Sequence, residues 1–416
     1  MNSHMINRSI TIILSLLMGF ALNAQEITYG EYMQRALKGN AALAAQSMNI
    51  EIADAEVKSS RTYNDPTIAI AYGNNEDWNT KLGESITAEL SRTFTFGVRK
   101  AGIALAQQER EMTAAVVQEY LRNFQADATI AYLSHLKAIA LKENLAENYD
   151  NLRGISTSDS LRHISGEISE SEWIHSRLEC AVAKNRVIAA EAAIEESAIA
   201  LGYYMGNCEG ASTLRGKGSL VINPELKEPD TYIAEALGRR ADLLAAMANS
   251  DVAEAMQKMN SRNRRTDISL NIGAEHNIAG ENSQKFTKYF IGAAMPIKFS
   301  NMNKGAREAD RLRMEQAQKE ELNTRLIVQT EVLQAVGNYK AADRQVRTFD
   351  GNILAEAKSL LAGKRKAYLL GEISLLELIE IQQTVNLMHT EYTEALYNKA
   401  VRWVELQRSV GCDAKF

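Results

Sequence analysis

The chain has 416 residues and a formal net charge of −5, so it lacks the basic excess that marks nucleic-acid-binding proteins. Hydrophobic residues make up 45% of the sequence, aromatic residues only 6%, and there are four prolines. A scarcity of proline beside abundant Ala, Glu, Gln, Lys and Leu favours long helices over frequent turns. The composition therefore excludes a nucleic-acid partner and predicts a mainly α chain with a small β part.

The first residues have the pattern of a secretory signal peptide. Arg8 precedes an apolar run, Ile10 to Phe20, and small residues lead to a cleavage point after Ala24. The run is too short to cross a membrane, and no later stretch approaches ~18 consecutive apolar residues. We expect residues 1–24 to be a signal peptide, the mature chain to be exported, and no transmembrane helix to be present.

The mature chain is predicted to be a duplication. The motif Gly-Glu-Ile-Ser at 166–169 recurs at 371–374, and a helical pattern that begins at Tyr32 begins again at Tyr232. Recurrence of several patterns in one order indicates an internal repeat. The alternative is two unrelated helical segments of similar composition.

A Gly/Ser/Pro-rich segment marks the boundary between the halves. We predict repeat 1 at residues 25–205, a linker at 206–229 and repeat 2 at 230–416. Each repeat is predicted to contain a helix, a β-hairpin and a long helical hairpin.

Two pairs of alternating segments predict one hairpin in each repeat. Apolar residues share one parity in two of these segments, with Arg92 as the polar exception in the first: Ile86, Ala88, Leu90, Phe94 and Phe96, and Ile268, Leu270, Ile272 and Ala274. Period two gives each strand one apolar and one polar face. The hairpins either pack on a soluble helical core or join copies from other chains in a closed barrel, the form in which strands exist in lipid.

Each hairpin is followed by a long predicted helix, at 100–160 and at 303–365, and by a returning helix, at 169–205 and at 374–410. About sixty residues at ~1.5 Å each reach ~90 Å, longer than a compact domain of this size is wide. A lone helical hairpin buries little surface, so the pattern predicts a tube or rod built with neighbours.

The turns between these helices carry capping signals. Gly166 and Gly371 permit the positive φ of a tight turn, and Ser169 and Ser374 are suited to cap the returning helices. Glu172 and Glu377, three residues further on, fit the capping box. As exposed tips these turns are candidate docking points for a partner: Gly166, Glu167, Ile168, Ser169, Gly371, Glu372, Ile373 and Ser374.

The three cysteines, Cys180, Cys208 and Cys412, do not form a disulfide framework. Cys208 and Cys412 occupy similar places in the two halves, and their spacing leaves open whether they pair or are free thiols. No histidine has metal-ligand spacing, and no catalytic motif is present, so we expect no enzyme activity, no cofactor and no metal site.

The doubled order of motifs resembles the TolC-type outer-membrane efflux proteins over essentially the whole mature chain. The first helix at Tyr32 to Ala45 and the glycine-led tip at Gly371 to Glu380 look like those of the family. A finer resemblance links the strand-to-helix junction at 294–305, and less closely the one at 90–100, to the heavy-metal (CzcC/CusC-like) branch.

The resemblance implies a homotrimer in the outer membrane of a Gram-negative bacterium, in contact with lipid. Each protomer would contribute four strands to a shared 12-stranded β-barrel and its helices to a tunnel in the periplasm. The implied function is the exit duct of a tripartite efflux system, with a periplasmic adaptor and a proton-driven inner-membrane pump as partners. The finer resemblance implies heavy-metal cations as cargo, and the sequence leaves drugs and proteins open as alternatives.

Glu377 and Glu380 are the candidate gate residues. They lie three apart and share a helix face, and the family has acidic residues at matching positions near its periplasmic aperture. Three-fold symmetry would form a carboxylate ring that attracts cations. The alternative is two solvated glutamates on an exposed helix.

Other functions stay open at this stage. A periplasmic adaptor has one helical hairpin between β-rich segments rather than two. An exported coiled-coil stalk would lack the alternating strand pairs. A duct for type I protein secretion has the same architecture as one for efflux.

Overall fold

The computed structural model describes residues 25–74, 83–278, 284–297, 304–349 and 352–413. The predicted signal peptide lies outside the described residues. Two compact units are present. The described parts of Met1–Ala44, Tyr120–Arg239 and Gln329–Phe416 form the first unit, and those of Ala45–Glu119 and Arg240–Val328 form the second unit.

The elements of the first half follow the predicted order of helix, hairpin and long helical hairpin. In chain order they are β1 (Gln25–Thr28), α1 (Tyr29–Gly39), α2 (Ala41–Ser59), β2 (Thr67–Asn74), β3 (Glu84–Phe94), α3 (Val98–Ile164) and α4 (Glu170–Met205). The long helix α3 has 67 residues and α4 has 36.

The second half repeats this order. Its elements are a 3₁₀ turn (Ala211–Thr213), β4 (Leu214–Lys217), α5 (Pro229–Arg239), α6 (Ala241–Asn263), β5 (Ile268–Asn277), β6 (Phe286–Ala294), α7 (Lys304–Thr348), α8 (Asn352–Leu369) and α9 (Leu375–Val410). The same sequence of elements in both halves agrees with a duplication, while the exact repeat boundaries stay a prediction.

The first helical segment of each half is divided in two. Asn40, between α1 and α2, has ψ 117°, and Arg240, between α5 and α6, has ψ 124°, so both backbones are extended where one continuous helix was expected. The Asn40 side chain caps α2 by accepting the Leu43 N–H at 3.1 Å, and it donates to the carbonyl of Tyr204 at the end of α4. A side chain that satisfies two helix ends at once explains the break.

The second long helix differs from its prediction. One helix was expected over 303–365, but α7 ends at Thr348 and α8 begins at Asn352. The Phe349 N–H bonds to the Val346 carbonyl, three residues back, which tightens the end of α7. The sequence here, Asp-Gly-Asn at 350–352, consists of poor helix formers.

The four long strands form one antiparallel sheet in the second unit, in the order β2-β3-β5-β6. The hairpins β2–β3 and β5–β6 are the predicted ones, and β3 pairs with β5 along ten residue pairs, from Ser85 with Asn277 to Phe94 with Ile268. β2 and β6 are therefore the edge strands of this sheet. The sheet unites strands of both halves, so neither hairpin stands alone.

A small parallel ladder between β1 and β4 is present in the first unit and was not predicted. The predicted linker at 206–229 thus contains a 3₁₀ turn and a strand. The buried Tyr132 of α3 connects the ladder to the helices, because its hydroxyl donates to the Ile27 carbonyl at 2.9 Å and accepts the Lys217 N–H at 3.1 Å. Tyr132 also stacks on Tyr32 of α1, and both rings belong to the main core of this unit.

Cys180, Cys208 and Cys412 are free thiols, so Cys208 and Cys412 do not pair in this structure. Within the described residues, no helix is both long enough and apolar enough to cross a membrane.

A fully buried histidine lies beside the main core. His135 has no exposed surface, and its Nδ1 lies 2.8 Å from the hydroxyl of Ser197. Because that hydroxyl donates to the Ile194 carbonyl, it accepts from Nδ1–H, and the buried Nε2 has no hydrogen-bond partner among the described residues. Burial, with a smaller effect of the Arg215 charge, lowers the pKa of His135 to about 4.

His135 should make the folded state sensitive to acid. In the unfolded chain its pKa is near 6.5, so below that pH the unfolded state binds a proton that the folded state resists. Stability should therefore fall as the pH falls from about 6.5 toward 4, by at most ~3 kcal/mol. His135→Gln should lessen this loss in thermal unfolding of the purified protein. His175→Gln, a partly exposed control, should leave it unchanged, and an equal pH profile for His135→Gln would contradict the assignment.

Candidate functional site

The tip between α3 and α4 is a capped glycine turn. Gly166 has φ 79°, and the Glu167 N–H bonds back to the Arg162 carbonyl at 2.8 Å, which is the hydrogen-bond pattern of a Schellman motif. The Ser169 hydroxyl accepts the Glu172 N–H, and the Glu172 carboxylate accepts the Ser169 N–H at 3.1 Å. The predicted capping box is present at this tip.

The tip between α8 and α9 has the same backbone but a different side-chain arrangement. Gly371 has φ 77°, the Glu372 N–H bonds to the Ala367 carbonyl at 2.9 Å, and Ser374 accepts the Glu377 N–H at 3.2 Å. The Glu377 carboxylate does not complete the predicted box. It accepts instead from Lys364 Nζ at 2.6 Å, and a cation is a stronger partner for a carboxylate than a neutral N–H.

Glu377 and Glu380 lie on the outer side of the first turns of α9. Glu377 is partly exposed and Glu380 is exposed. The residues on the other side of these turns, Leu378 and Ile379, are almost fully buried. The two carboxylates therefore share the surface of one helix, as predicted, although Lys364 balances the charge of one of them.

An apolar cluster fixes the start of α9 against α3. Leu375, Leu378 and Ile379 of α9 pack with Leu152 and Ile155 of α3. Each of these side chains is at most 6% exposed, so the position of the acidic pair is set by burial of its neighbours.

A buried polar contact near the tips was missed by the sequence analysis. The hydroxyl of Tyr368, at the end of α8, donates to Asp159 Oδ1 of α3 at 2.7 Å, and Asp159 has no exposed surface. Burial, together with this hydrogen bond to a carboxylate, raises the pKa of Tyr368. We call this contact between Asp159 and Tyr368 the latch.

The Arg162 guanidinium lies near the negative charge of Asp159 but makes no direct hydrogen bond to that carboxylate. Its Nη1 lies 4.0 Å from Asp159 Oδ1, and its guanidinium lies 5.3 Å from the centre of the Tyr368 ring. Among the described residues, Asp159 Oδ2 and Arg162 Nη1 are buried without hydrogen-bond partners. The network is therefore incompletely satisfied within the described residues.

Further polar contacts follow one face of α3 away from the tip. Asn144, Asn148 and Asn151 contact three partners on α8 and α9: Thr393 at 3.2 Å, Gln382 at 2.7 Å and Arg365 at 2.9 Å. Positions four and three residues apart lie on one helix face, so the row is a property of the sequence. The spacing of these three asparagines was the signal that could have revealed this contact.

The two faces of the four-stranded sheet differ in chemistry. Directly paired residues point to the same face. One such row is Ile68, Leu90, Ile272 and Ile291, and these side chains are 72%, 42%, 53% and 83% exposed. The opposite face carries a row of Ala71, Thr87, Glu275 and Lys288, with an ion pair of 3.8 Å between the last two.

Polar side chains on the apolar face stand near its ends. His276 and Thr287 lie toward the hairpin loops, and Arg92 lies toward the start of α3. The middle of the face is apolar and open. Within the described residues, no group of three or more His, Cys, Asp or Glu side chains is placed to hold a metal ion.

Comparisons with known proteins agree with this geometry. A family model described as outer membrane efflux protein matches residues 232–412. The second half of the chain therefore resembles the outer membrane efflux protein family. The resemblance to TolC-type proteins that the sequence indicated is confirmed.

Solved structures with a similar fold match both halves of the chain. The chain is similar to CusC, with 15% identity, 92% of this chain and 91% of that chain covered, and a TM-score of 0.73. It is also similar to the CmeC outer membrane channel of Campylobacter jejuni, with 15% identity, 92% of this chain and 85% of that chain covered, and a TM-score of 0.76. The open state of the MtrE outer membrane channel of Neisseria gonorrhoeae is similar as well, with 14% identity, 92% of this chain and 89% of that chain covered, and a TM-score of 0.72. None of the curated proteins matches the sequence.

Removal of the latch hydroxyl should destabilise the first unit. Tyr368→Phe leaves the buried Asp159 carboxylate without its donor, and a buried polar group that loses its partner costs about 1–3 kcal/mol. Unfolding of the purified protein, followed by circular dichroism, measures this change. Tyr203→Phe removes a hydroxyl from a ring that is 63% exposed and serves as the control. Equal effects of the two substitutions would show that the latch contributes nothing.

Proposed function

We propose that this chain is one protomer of a homotrimeric exit duct in the outer membrane of a Gram-negative bacterium. The duct passively conducts substrates that an inner-membrane pump and a periplasmic adaptor deliver, and it performs no catalysis of its own. The observation that carries the proposal is the sheet in which one face is apolar and exposed and the other is polar.

Such a sheet suits a wall between lipid and water. An apolar face that remains open in water is costly, since each buried apolar Å² contributes about 25 cal/mol. In a barrel this face meets lipid, and the polar face with Glu275 and Lys288 lines the lumen.

The edge strands require further copies of the chain. β2 and β6 each pair on one side within the sheet, and lipid offers no partner for the free backbone groups of an edge. Pairing β6 of one copy with β2 of the next removes every edge if the ring closes. Three copies of four strands give the 12-stranded barrel that the family resemblance implies.

The tips and the acidic pair take their roles from this assembly. Gly166 to Ser169 and Gly371 to Ser374 form exposed turns held by backbone caps, so they are rigid enough to dock the helical hairpins of an adaptor. Glu377 and Glu380, repeated three times around the axis, form the proposed gate ring.

Heavy-metal cations are the proposed cargo. The resemblance of the strand-to-helix junctions supports this, and a ring of carboxylates favours cations over anions. The similarity to CusC does not single out this branch, because CmeC and MtrE match with comparable TM-scores.

Charge placed on the two faces of β2 tests the proposal. Ile70 lies on the apolar face, and its neighbour Ala71 lies on the polar face. Ile70→Lys should reduce insertion of the trimer into the outer membrane, because a lysine at the bilayer midplane costs about 2–4 kcal/mol. Ala71→Lys, one residue away, should insert normally and change only pore conductance.

The measurements are the amount of protein in outer-membrane fractions, the oligomer mass in detergent and conductance in planar bilayers. A wild-type protein that is monomeric and does not conduct would overturn the proposal. Equal tolerance of both lysines would show that the apolar face does not meet lipid.

Neutralisation of the acidic pair should weaken block of the pore by multivalent cations. Glu377→Gln with Glu380→Gln removes six carboxylates from a trimer, so the concentration of a divalent cation that halves the conductance should rise several-fold. The matched control is Glu391→Gln with Glu394→Gln, which changes the same charge at the same spacing further along α9. An unchanged block would remove Glu377 and Glu380 from the gate.

A further inference from the structure

Two arginines meet one tyrosine where the sheet joins the helices. Arg92, near the end of β3, has its guanidinium 5.8 Å from the centre of the Tyr63 ring. The guanidinium of Arg99, in the first turn of α3, lies 4.1 Å from the same centre. All three residues belong to the second unit.

The arrangement gathers positive charge that the described residues do not neutralise. Arg99 Nε donates to the Arg61 carbonyl at 2.9 Å, and Arg92 lies 5.6 Å from the centre of the Phe94 ring. Among the described residues, neither guanidinium lies within ion-pair distance of a carboxylate. Two like charges beside one ring are unfavourable unless water or an anion lies between them.

The cluster adjoins the open apolar face of the sheet. Arg92 occupies the row next to that of Leu90 and Ile272, on the same face, and Phe94 and Phe96 at this end are 43% and 49% exposed. Tyr63 is 66% exposed. At this end of the face Arg92 lies between Leu90 and the exposed ring of Phe94. Aromatic rings mixed with arginines beside an apolar surface are typical of the boundary between the interior of a bilayer and its headgroups.

The neighbouring surface at this end of the sheet is also basic. An open groove is lined by Lys100, Lys258, Arg262, Arg264, Arg265 and Arg307, against the acidic residues Asp251 and Glu254. This groove carries more positive than negative side chains, so it adds to the electrostatic attraction of an anion toward this end of the sheet. Arg92 and Arg99 do not line the groove.

We propose that Arg92, Arg99 and Tyr63 form a site for the phosphate of an anionic phospholipid. Guanidinium groups bind phosphate oxygens through two parallel hydrogen bonds, and the flexible acyl chains of the lipid then lie along the apolar face beside Leu90. The ring of Tyr63 orients both guanidiniums. The proposal rests on the proposed function, since it requires the apolar face to lie in a bilayer.

Lipid binding to the purified full-length protein tests the site. Phosphatidylglycerol and phosphatidylcholine with the same acyl chains are titrated into the detergent-extracted protein, and bound lipid is counted by native mass spectrometry. Wild type should retain phosphatidylglycerol in preference to phosphatidylcholine. Arg92→Gln with Arg99→Gln should weaken that binding by about fivefold for each arginine removed.

Two further variants separate the guanidinium from its charge. Arg402→Gln removes a partly exposed arginine of α9 and should leave the preference intact. Arg92→Lys with Arg99→Lys keeps both charges and should give an intermediate loss, because a lysine lacks the planar pair of donors.

Three results would overturn the site: no preference in wild type, an equal loss in Arg402→Gln, or complete displacement of the lipid by inorganic phosphate. The last result would show that the arginines take a free anion. Conductance of the same preparations in phosphatidylcholine bilayers separates this outcome from the proposed function. Channels that conduct without a lipid preference would refute only the site, and the absence of conductance in wild type would refute the duct itself.

Discussion

The constraint behind the proposed assembly is that a strand in lipid must pair on both sides. The backbone N–H and C=O groups of β2 and β6 are paired on one side within the sheet, and no water is present in a bilayer to satisfy the other side. The side chains on these edge strands are also the most exposed of the apolar face, with Tyr289 at 80% and Ile291 at 83%. Both the polar backbone and the apolar side chains therefore require neighbours, and closure with identical copies satisfies both together.

The two halves share one order of helices and strands, as a duplication predicts, but differ in their side-chain contacts. Both tips place a glycine at positive φ and a serine cap three residues later, because a tight turn between helices requires these groups. Beyond that requirement the tips diverge. Glu172 closes a capping box, whereas Glu377 pairs with Lys364. The tip with the ion pair carries the acidic pair, so the proposed gate exists in only one repeat of each protomer.

Patterns with a short period could be predicted from the sequence, and contacts between distant residues could not. The alternation at Ile86 to Phe94 has a local cause, the pleat of a strand, and its prediction is confirmed by β3. The break at Asn40 depends on a hydrogen bond to the carbonyl of Tyr204, which lies far away along the chain. The local sequence therefore did not predict this break. The end of α7 at Thr348 is an intermediate case, since the Asp-Gly-Asn sequence at 350–352 is a local signal against a helix, whereas one continuous helix was predicted over 303–365.

The latch is another contact between distant residues that the sequence could not predict. It also differs in kind from the apolar packing around it in the first unit. Asp159 and Tyr368 were ordinary helix residues in the sequence, and only packing of α8 on α3 makes their contact a buried hydrogen bond. The apolar cluster around Leu378 is non-directional, so it holds the helices together over a range of small displacements. The latch is directional and is lost within about 1 Å of movement, since hydrogen bonds weaken steeply outside their preferred geometry. Burial therefore keeps α9 on α3 over a range of positions, while the hydrogen bond between Tyr368 and Asp159 favours one position of α8 against α3.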